Sequence, residues 1–229
     1  MTAPAWHSRT KEEAFAGLES TPQGLSAEEA ARRLATHGPN RLPPPKKRGA
    51  LVRFLAQFHN VLIYVLLAAV AVTAALGHYV DSGVILAVVL ANTVIGFFQE
   101  GKAESALDAI RNMLSHTAAV LRDGRRREIP AEELVPGDIV FLASGDKVPA
   151  DLRLVEARSL RVDEAALTGE SVAVEKDIAP VAEAAPIGDR RPMAYSGTLV
   201  TYGQAKGLVT ATGEGTEIGR IGRLLAEVE

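Results

Sequence analysis

The sequence predicts a membrane protein of mixed α+β structure, with a helical N-terminal segment, a two-helix transmembrane hairpin and a small all-β cytosolic domain. Two apolar runs without a charged residue, at 60–76 and 84–98, predict the hairpin. With their flanks, over about 57–76 and 80–99, each approaches the ~20 residues that cross a bilayer. From residue 117 onward, short apolar runs alternate with glycine-containing turn signals, a pattern typical of a small β-sandwich or barrel.

Residues 1–49 are predicted to form a helical segment followed by a basic linker. Ser26 precedes a helical pattern and Glu29 follows three residues later, which is the spacing of a capping box. A Gly-Pro pair at 38–39 is expected to end that helix. The stretch PPPKKRG at 43–49 cannot be helical because of its prolines, so it predicts a stiff linker.

Residues 50–100 are predicted to form the hairpin, and flanking charge predicts its orientation. Lys and Arg precede the first apolar run and follow the second, whereas the connector at 77–83 has neither. Positive residues mark the cytosolic side, so both termini of this multi-pass integral membrane protein are expected in the cytosol. The alternative, a pair of buried core helices, would need an all-apolar environment around both runs. A signal peptide does not fit, because residues 1–53 are polar and charged.

Helices are also predicted on both sides of the β domain, which is assigned to residues 117–215. At 101–116, apolar residues at helical spacing predict an amphipathic stalk that continues the second membrane helix. Thr216 is expected to cap a further helix over 216–229, where apolar residues recur at the same spacing.

Turn signals divide the β domain into strands. An Asp-Gly pair at 123–124 predicts a type I′ hairpin, and a Pro-Gly pair at 136–137 suits a type II turn. Gly203 predicts a further hairpin between two short strands. In the segment GDKVPAD, Asp146, Lys147 and Asp151 lie around Pro149. An aspartate could pair with Lys147 across a turn there, but ordinary turn chemistry explains the segment equally well.

Composition and motifs exclude several kinds of site. There is no cysteine, so disulfides and thiolate metal sites are excluded. The five histidines lack metal-ligand spacing and no GxxxxGK[ST] loop occurs, so neither a metal nor a cofactor is expected to bind this chain. The formal net charge of −3 argues against a nucleic-acid partner.

The stretch LTGES, at 167–171, is the best chemical candidate. Gly169 permits a backbone conformation that other residues avoid and lets a phosphate come close. Glu170 could orient a water or accept its proton, and Thr168 and Ser171 could bind the same water or hold the turn. Taken alone, the five residues fit an ordinary polar turn better, because no second acid, nucleophile or metal site accompanies them.

Together, these stretches resemble one protein family. VPGDIVFLASGDKVPADLRLVEARSLRVDEAALTGES is similar to the actuator domain of P-type cation-transporting ATPases. GLSAEEAARRLATHGPNRLP resembles their N-terminal segment, and ANTVIGFFQEGKAESALDAIRNM resembles their second membrane helix and stalk. MAYSGTLVTYGQAKGLVTATGEGTEIGRI resembles the far edge of the actuator. The similarity is greatest to calcium pumps of the sarcoplasmic-reticulum type and their bacterial relatives, and it implies a distorted, jelly-roll-like actuator.

The resemblance implies a reaction that is shared between domains. In such pumps ATP phosphorylates an aspartate in a DKTGT motif on a separate domain, the cation is released and the actuator rotates. The TGES loop, here Thr168, Gly169, Glu170 and Ser171, then docks on the aspartyl phosphate, and Glu170 positions the hydrolytic water. The acyl phosphate is thus formed and then cleaved. ATP and Mg²⁺ are implied as cofactors of a complete family member.

The sequence printed here ends at Glu229 and contains no DKTGT motif. We therefore expect the front part of a pump, truncated before its phosphorylation and nucleotide-binding domains and inactive alone. The alternative is a membrane-anchored, non-catalytic regulatory or binding module that associates with a full-length pump. A soluble β-domain enzyme is excluded by the two apolar runs.

Three kinds of partner are expected. They are membrane lipid, the missing phosphorylation and nucleotide-binding domains or a full-length pump, and a transported cation. The resemblance favours calcium, and magnesium, sodium, potassium and protons stay open. In a bacterium the expected location is the plasma (inner) membrane.

Overall fold

The computed structural model describes residues 4–42, 49, 54, 56–113 and 117–228. They fall into two compact units, which we describe separately. The first unit takes in the N-terminal segment up to residue 43 and the chain from residue 115 onward, and the second is the segment 44–114. Of the predicted linker at 43–49, only Gly49 lies within the described residues.

The described part of the first unit combines four α-helices with seven strands. Its helices are α1 (Lys11–Gly17), α2 (Ala27–His37), α5 (Ala165–Thr168) and α6 (Glu217–Val228). Its strands are β1 (Thr117–Arg122), β2 (Arg125–Pro130), β3 (Ile139–Ala143), β4 (Asp151–Asp163), β5 (Val174–Glu175), β6 (Met193–Ala194) and β7 (Leu199–Ala211). The second unit contains α3 (Val61–Ala75) and α4 (Tyr79–Met113).

The strands form one antiparallel sheet in the order β2-β1-β3-β7-β4-β5, with β6 paired to β4. The long strands β4 and β7 lie side by side and supply much of the buried core, including Leu152, Leu154, Leu160 and Val209. Helices together with an antiparallel sheet are the α+β composition that the sequence predicts. Burial of one face by alternate apolar residues is what holds such a sheet together.

Two predicted turns of the sheet are confirmed. Asp123 and Gly124 have φ of 52° and 68°, the pair of left-handed residues that a type I′ hairpin requires. Gly137 has φ of 96°, and the backbone N–H of Asp138 donates to the carbonyl of Val135 at 3.1 Å, as in a type II turn.

The hairpin predicted around Gly203 is wrong, because β7 continues straight through it. Gly203 has φ of 80°, and a Cβ there would lie 2.4 Å from the carbonyl oxygen of Ser159. The register between β4 and β7 shifts close by, between Arg158 and Arg161. The glycine therefore permits a close approach of two strands at an irregularity of the ladder, and does not reverse the chain.

The N-terminal segment packs on the sheet through a buried arginine. The Arg153 side chain is fully buried and donates to the carbonyl oxygens of Trp6 (3.0 Å) and Arg9 (2.7 Å). It also donates to the carbonyls of Ile178 (2.9 Å) and Leu154 (2.6 Å). Burial lowers the pKa of Arg153 to about 10. One side chain thus ties the N-terminal segment to β4 and to the segment after β5.

The helix caps of this segment differ in part from the prediction. The Ser26 hydroxyl accepts from the backbone N–H of Glu29 at 3.1 Å, which confirms the cap. The Glu29 carboxylate binds Arg33 Nε at 2.6 Å, so it serves an ion pair along α2 and not the box. A complete capping box forms at α1 between Thr10 and Glu13, where the sequence analysis placed none.

In the second unit, α4 contains one stretch, Tyr79–Gln99, that is long and apolar enough to cross a membrane. The apolar helix α3 has 15 residues, fewer than the span predicted over 57–76. Length and composition therefore support a membrane span in α4 but not in α3. That α3 also crosses the membrane stays a prediction. Helix α4 continues without a break to Met113, into the region where the stalk is predicted.

Candidate functional site

The LTGES stretch lies on a loop between β4 and β5. The chain leaves β4 at Asp163, forms the single turn α5 and enters β5 at Val174. At the base of the loop Arg161 pairs with Glu175 across the two strands. The Asp163 carboxylate accepts from the backbone N–H of Ala165 at 3.0 Å and so stabilises the start of α5. The candidate residues follow at the open end of this turn.

Gly169 ends α5 in a left-handed conformation, with φ of 76° and ψ of 0°. Its N–H donates to the carbonyl of Ala165 at 2.9 Å, which closes the turn. A Cβ at this position would meet no atom within 4 Å. The glycine is therefore required by backbone conformation, and the space above it is open to an incoming group.

Thr168 holds the turn from inside. Its hydroxyl lies 3.2 Å from the carbonyl of Glu164, to which it donates, and accepts from the backbone N–H of Glu170 at 3.2 Å. Its side chain is half-buried, and its methyl group would lie 3.6 Å from a Cβ placed on Gly188. Of the two roles that the sequence leaves open for this hydroxyl, the structure shows the one that holds the turn.

Glu170 and Ser171 are exposed, as is Val172 after them. Within the described part of the chain, the Glu170 carboxylate has neither an ion-pair nor a hydrogen-bond partner, although its backbone N–H is held by Thr168. A free carboxylate on a fixed backbone can act on a group that another domain brings to it.

A buried ion pair lies at the base of the loop. Lys176 Nζ is 2.6 Å from Glu164 Oε1, and both side chains are at most 1% exposed. Burial raises the pKa of the Glu164 carboxyl and lowers that of the Lys176 ammonium, and the attraction between them opposes both shifts. The sequence analysis missed this pair, because an acid in DEAAL and a lysine in VEKD both look like surface residues.

Of the two interpretations of GDKVPAD, an Asp–Lys ion pair and ordinary turn chemistry, the structure shows the second for Asp146. The Asp146 carboxylate accepts from the backbone N–H of Ala143 at 2.8 Å and closes its own turn. No ion pair joins Asp146 to Lys147 in the part of the chain that the structure describes. An Asp carboxylate that lies close to an unpaired backbone N–H of its own turn binds that N–H more readily than it forms an ion pair with a lysine.

A second buried carboxylate, that of Asp151 in GDKVPAD, organises the start of α6, a role that the sequence did not predict. Asp151 accepts from the backbone N–H groups of Ser196 (2.9 Å) and Glu217 (2.8 Å). Burial raises its pKa to about 6, and these two N–H groups act in the opposite direction. Beside it, the Asn40 side chain accepts from the N–H of Gly213 at 2.9 Å. The end of the N-terminal segment therefore lies next to the start of α6.

The described residues offer no group of three or more metal-ligating side chains. A cleft of about 300 Å³ lies on the sheet, beside Arg126, Phe141 and Lys206, and none of its lining residues belongs to the loop 165–173. Glu170 and Ser171 are exposed to solvent, so a reacting group from outside the loop could reach them.

Two known protein families match this chain. The family described as "P-type ATPase actuator domain" matches residues 112–226, and the family "Cation transporter/ATPase, N-terminus" matches residues 6–73. The chain belongs to the P-type cation-transporting ATPases, and it carries their N-terminal segment and actuator domain.

Several relatives match almost the whole chain. The "Probable cation-transporting ATPase F" of Mycobacterium tuberculosis is 52% identical over 226 residues, which are 98% of this chain and 25% of that protein. The "Calcium-transporting ATPase 1" of Bacillus cereus is 45% identical over 230 residues, 98% of this chain and 26% of that protein. The "Cation-transporting ATPase pma1" of Synechocystis is 48% identical over 216 residues, which are 94% of this chain and 24% of that protein. The chain spans about a quarter of the length of these relatives.

Proposed function

We propose that this chain forms the N-terminal part of an ATP-driven cation pump and supplies the group that hydrolyses its phosphorylated intermediate. In this proposal the loop Thr168–Ser171 docks on an aspartyl phosphate of another domain, and Glu170 positions the attacking water. The observation that carries it is the Glu170 carboxylate, exposed and unpartnered among the described residues on a backbone held by Thr168.

The chemistry suits a lone carboxylate. Glu170 would hold a water in line with the phosphorus and accept its proton as the P–O bond to the aspartate breaks, which releases inorganic phosphate and free aspartate. Gly169 leaves room for the phosphate, because no atom lies within 4 Å of its missing Cβ. Ser171 is exposed beside Glu170 and would contact the same phosphate.

ATP and Mg²⁺ are assigned in this proposal to the phosphorylation and nucleotide-binding domains that the chain would meet as partners. When bound there, Mg²⁺ would neutralise charge on the transferred phosphoryl group.

We further propose that α3 and α4 cross the membrane as a hairpin with both termini in the cytosol, in the plasma (inner) membrane if the source is bacterial. Large apolar side chains stay exposed on both helices, with Val61 78% and Val80 80% exposed, and lipid or further helices would cover them. The proposed domains keep the predicted boundaries, namely 1–49, 50–100, 101–116, 117–215 and 216–229.

Calcium is the cation that we propose for transport. The name of the Bacillus cereus relative supports it, since that protein is called a calcium-transporting ATPase. The Mycobacterium tuberculosis relative is named only for cation transport, so the choice depends on the measured ion dependence of phosphorylation.

The role of Glu170 is tested in a chimera. This chain replaces the corresponding quarter of the Bacillus cereus relative, the chimera is phosphorylated with γ-³²P-ATP, and decay of the phosphoenzyme is followed after a chase with unlabelled ATP. We expect Glu170→Gln to slow decay by on the order of 100-fold, because the water loses its proton acceptor. Phosphoenzyme formation should stay intact.

Glu175→Gln is the matched control, since Glu175 is an exposed carboxylate five residues further along. It should leave the decay rate at the parent value. Decay of the Glu170→Gln phosphoenzyme at the parent rate would refute the proposed role.

A further inference from the structure

A continuous series of contacts connects the buried ion pair to Glu170. Lys176 Nζ contacts Glu164 Oε1 at 2.6 Å. The backbone carbonyl of Glu164 accepts from the N–H groups of Leu167 (2.9 Å) and Thr168 (3.0 Å) and from the Thr168 hydroxyl (3.2 Å). That hydroxyl accepts in turn from the N–H of Glu170 at 3.2 Å. Glu164 is therefore anchored by its side chain while its backbone organises the turn that presents Glu170.

Glu164 and Lys176 flank the loop in the sequence, and their side chains meet in the structure. Glu164 is the last residue before α5, and Lys176 is the first residue after β5. The backbone N–H of Lys176 donates to the carbonyl of Leu160 on β4 at 2.9 Å, and its ammonium lies 5.9 Å from the centre of the Tyr195 ring. The ion pair thus connects the two ends of the loop beneath its surface.

The free-energy cost of a buried charge depends on its ion-pair partner far more than that of an exposed charge does. Removal of one partner leaves the other charge buried and unpaired, whereas replacement of both by neutral groups of similar size is often harmless to stability. Because this pair lies directly under a small, exposed loop and joins its two ends, its geometry is coupled to that of the loop.

We propose that Glu164 and Lys176 are positioning residues that hold the LTGES loop in the geometry from which Glu170 acts. This inference rests on the function proposed above for Glu170. Neither residue touches the phosphate, so both act through the turn. Loss of their contact should alter the loop and the hydrolysis step, and should leave formation of the phosphoenzyme unchanged.

The first test is hydrogen exchange of the purified 229-residue chain in detergent. Lys176→Met should speed exchange of the amides at 165–171 by on the order of 100-fold, because it leaves the Glu164 charge unpaired. Lys206→Met is the matched control. Lys206 also pairs with a glutamate, Glu156, at 3.0 Å, but those two side chains are 36% and 55% exposed. The control should leave exchange at 165–171 unchanged.

The double variant Glu164→Gln, Lys176→Met separates positioning from simple core filling. Without an unpaired charge, its unfolding midpoint should return close to that of the parent. Its loop should still exchange faster, and in the chimera its phosphoenzyme should decay at least about tenfold more slowly, because the attraction of an ion pair has been replaced by a weaker neutral contact. A double variant with parental stability, loop exchange and decay would overturn the positioning role.

Failure of this inference and failure of the proposed function give different results. Unchanged exchange at 165–171 in Lys176→Met, with Glu170→Gln still blocking decay, overturns the inference alone. Normal decay in Glu170→Gln overturns the proposed function and, with it, the kinetic part of the inference.

Discussion

The buried carboxyl of Asp151 should make a measurable contribution to the pH dependence of the stability of the first unit. Burial raises its pKa from 3.8 to about 6, and the negative charge of Glu217 acts in the same direction. The positive charge of Arg220 and two backbone N–H groups oppose the rise. Between these two pKa values the folded chain holds a proton that the unfolded chain has lost. This group therefore makes folding less favourable as pH rises, and the loss is complete above about pH 6.

The magnitude follows from the difference in pKa. A change from 3.8 to about 6, at about 1.4 kcal/mol for each pH unit, amounts to about 3 kcal/mol of unfolding free energy. At pH 4.5 the unfolded carboxyl is already mostly ionised, so about 1 kcal/mol has been lost by then. Between pH 4.5 and pH 7.5 the remaining loss is about 2 kcal/mol.

The assay compares the parent with Asp151→Asn, which has a similar shape and does not titrate in this range. The chain contains a single tryptophan, and Trp6 packs against the core of the first unit, so its fluorescence reports on unfolding of that unit. Guanidinium titrations at pH 4.5 and 7.5 give the unfolding free energy of each protein. The difference between parent and variant should change by about 2 kcal/mol between the two pH values, in favour of the variant at pH 7.5.

The comparison cancels every other titrating group that the two proteins share. An equal pH dependence in parent and variant would show that Asp151 titrates near its ordinary pKa. A change of the opposite sign would show that its two N–H donors outweigh burial.

Two further predictions use the same fluorescence assay. Gly203→Ala should lower the unfolding free energy by more than about 2 kcal/mol, because its Cβ would lie 2.4 Å from the Ser159 carbonyl oxygen and its backbone is left-handed. Gly169→Ala, which is also left-handed but has open space around it, should lower the unfolding free energy by only about 1 kcal/mol. Equal costs would contradict the close approach at Gly203. Arg153→Met should cost about 4 kcal/mol, since four buried or partly buried carbonyls lose their donor at roughly 1 kcal/mol each, and an unchanged midpoint would refute this.

Local signals in the sequence were sufficient wherever a short-range physical rule decides the structure. The turn at 123–124 forms as predicted because two adjacent residues that tolerate positive φ favour one hairpin type. Ser26 caps α2, since its hydroxyl reaches an N–H only three residues away. The family resemblance was also readable from order and motif, and the matched families confirm it.

Local signals failed where a competing partner, either on another strand or close by in the sequence, decides the structure. Gly203 has the composition of a turn, but its conformation is set by the approach of Ser159 on another strand. Glu29 completes the spacing of a capping box, yet its carboxylate binds Arg33. The segment GDKVPAD left an Asp–Lys ion pair open, and Asp146 instead accepts from the N–H of Ala143. In each case a competing partner was nearer in space than the pattern implied.

The sequence by itself determined the family, the α+β composition and the four residues of the candidate loop, Thr168–Ser171, because motifs and periodicity are properties of neighbouring residues. Only the tertiary structure decided what supports that loop. Glu164 and Lys176 are twelve positions apart and look like ordinary surface charges, and they meet at 2.6 Å only after β4 and β5 pair. Because both side chains are buried, the loss of either one would leave the other charge unpaired and destabilising, and burial is a property of the whole fold.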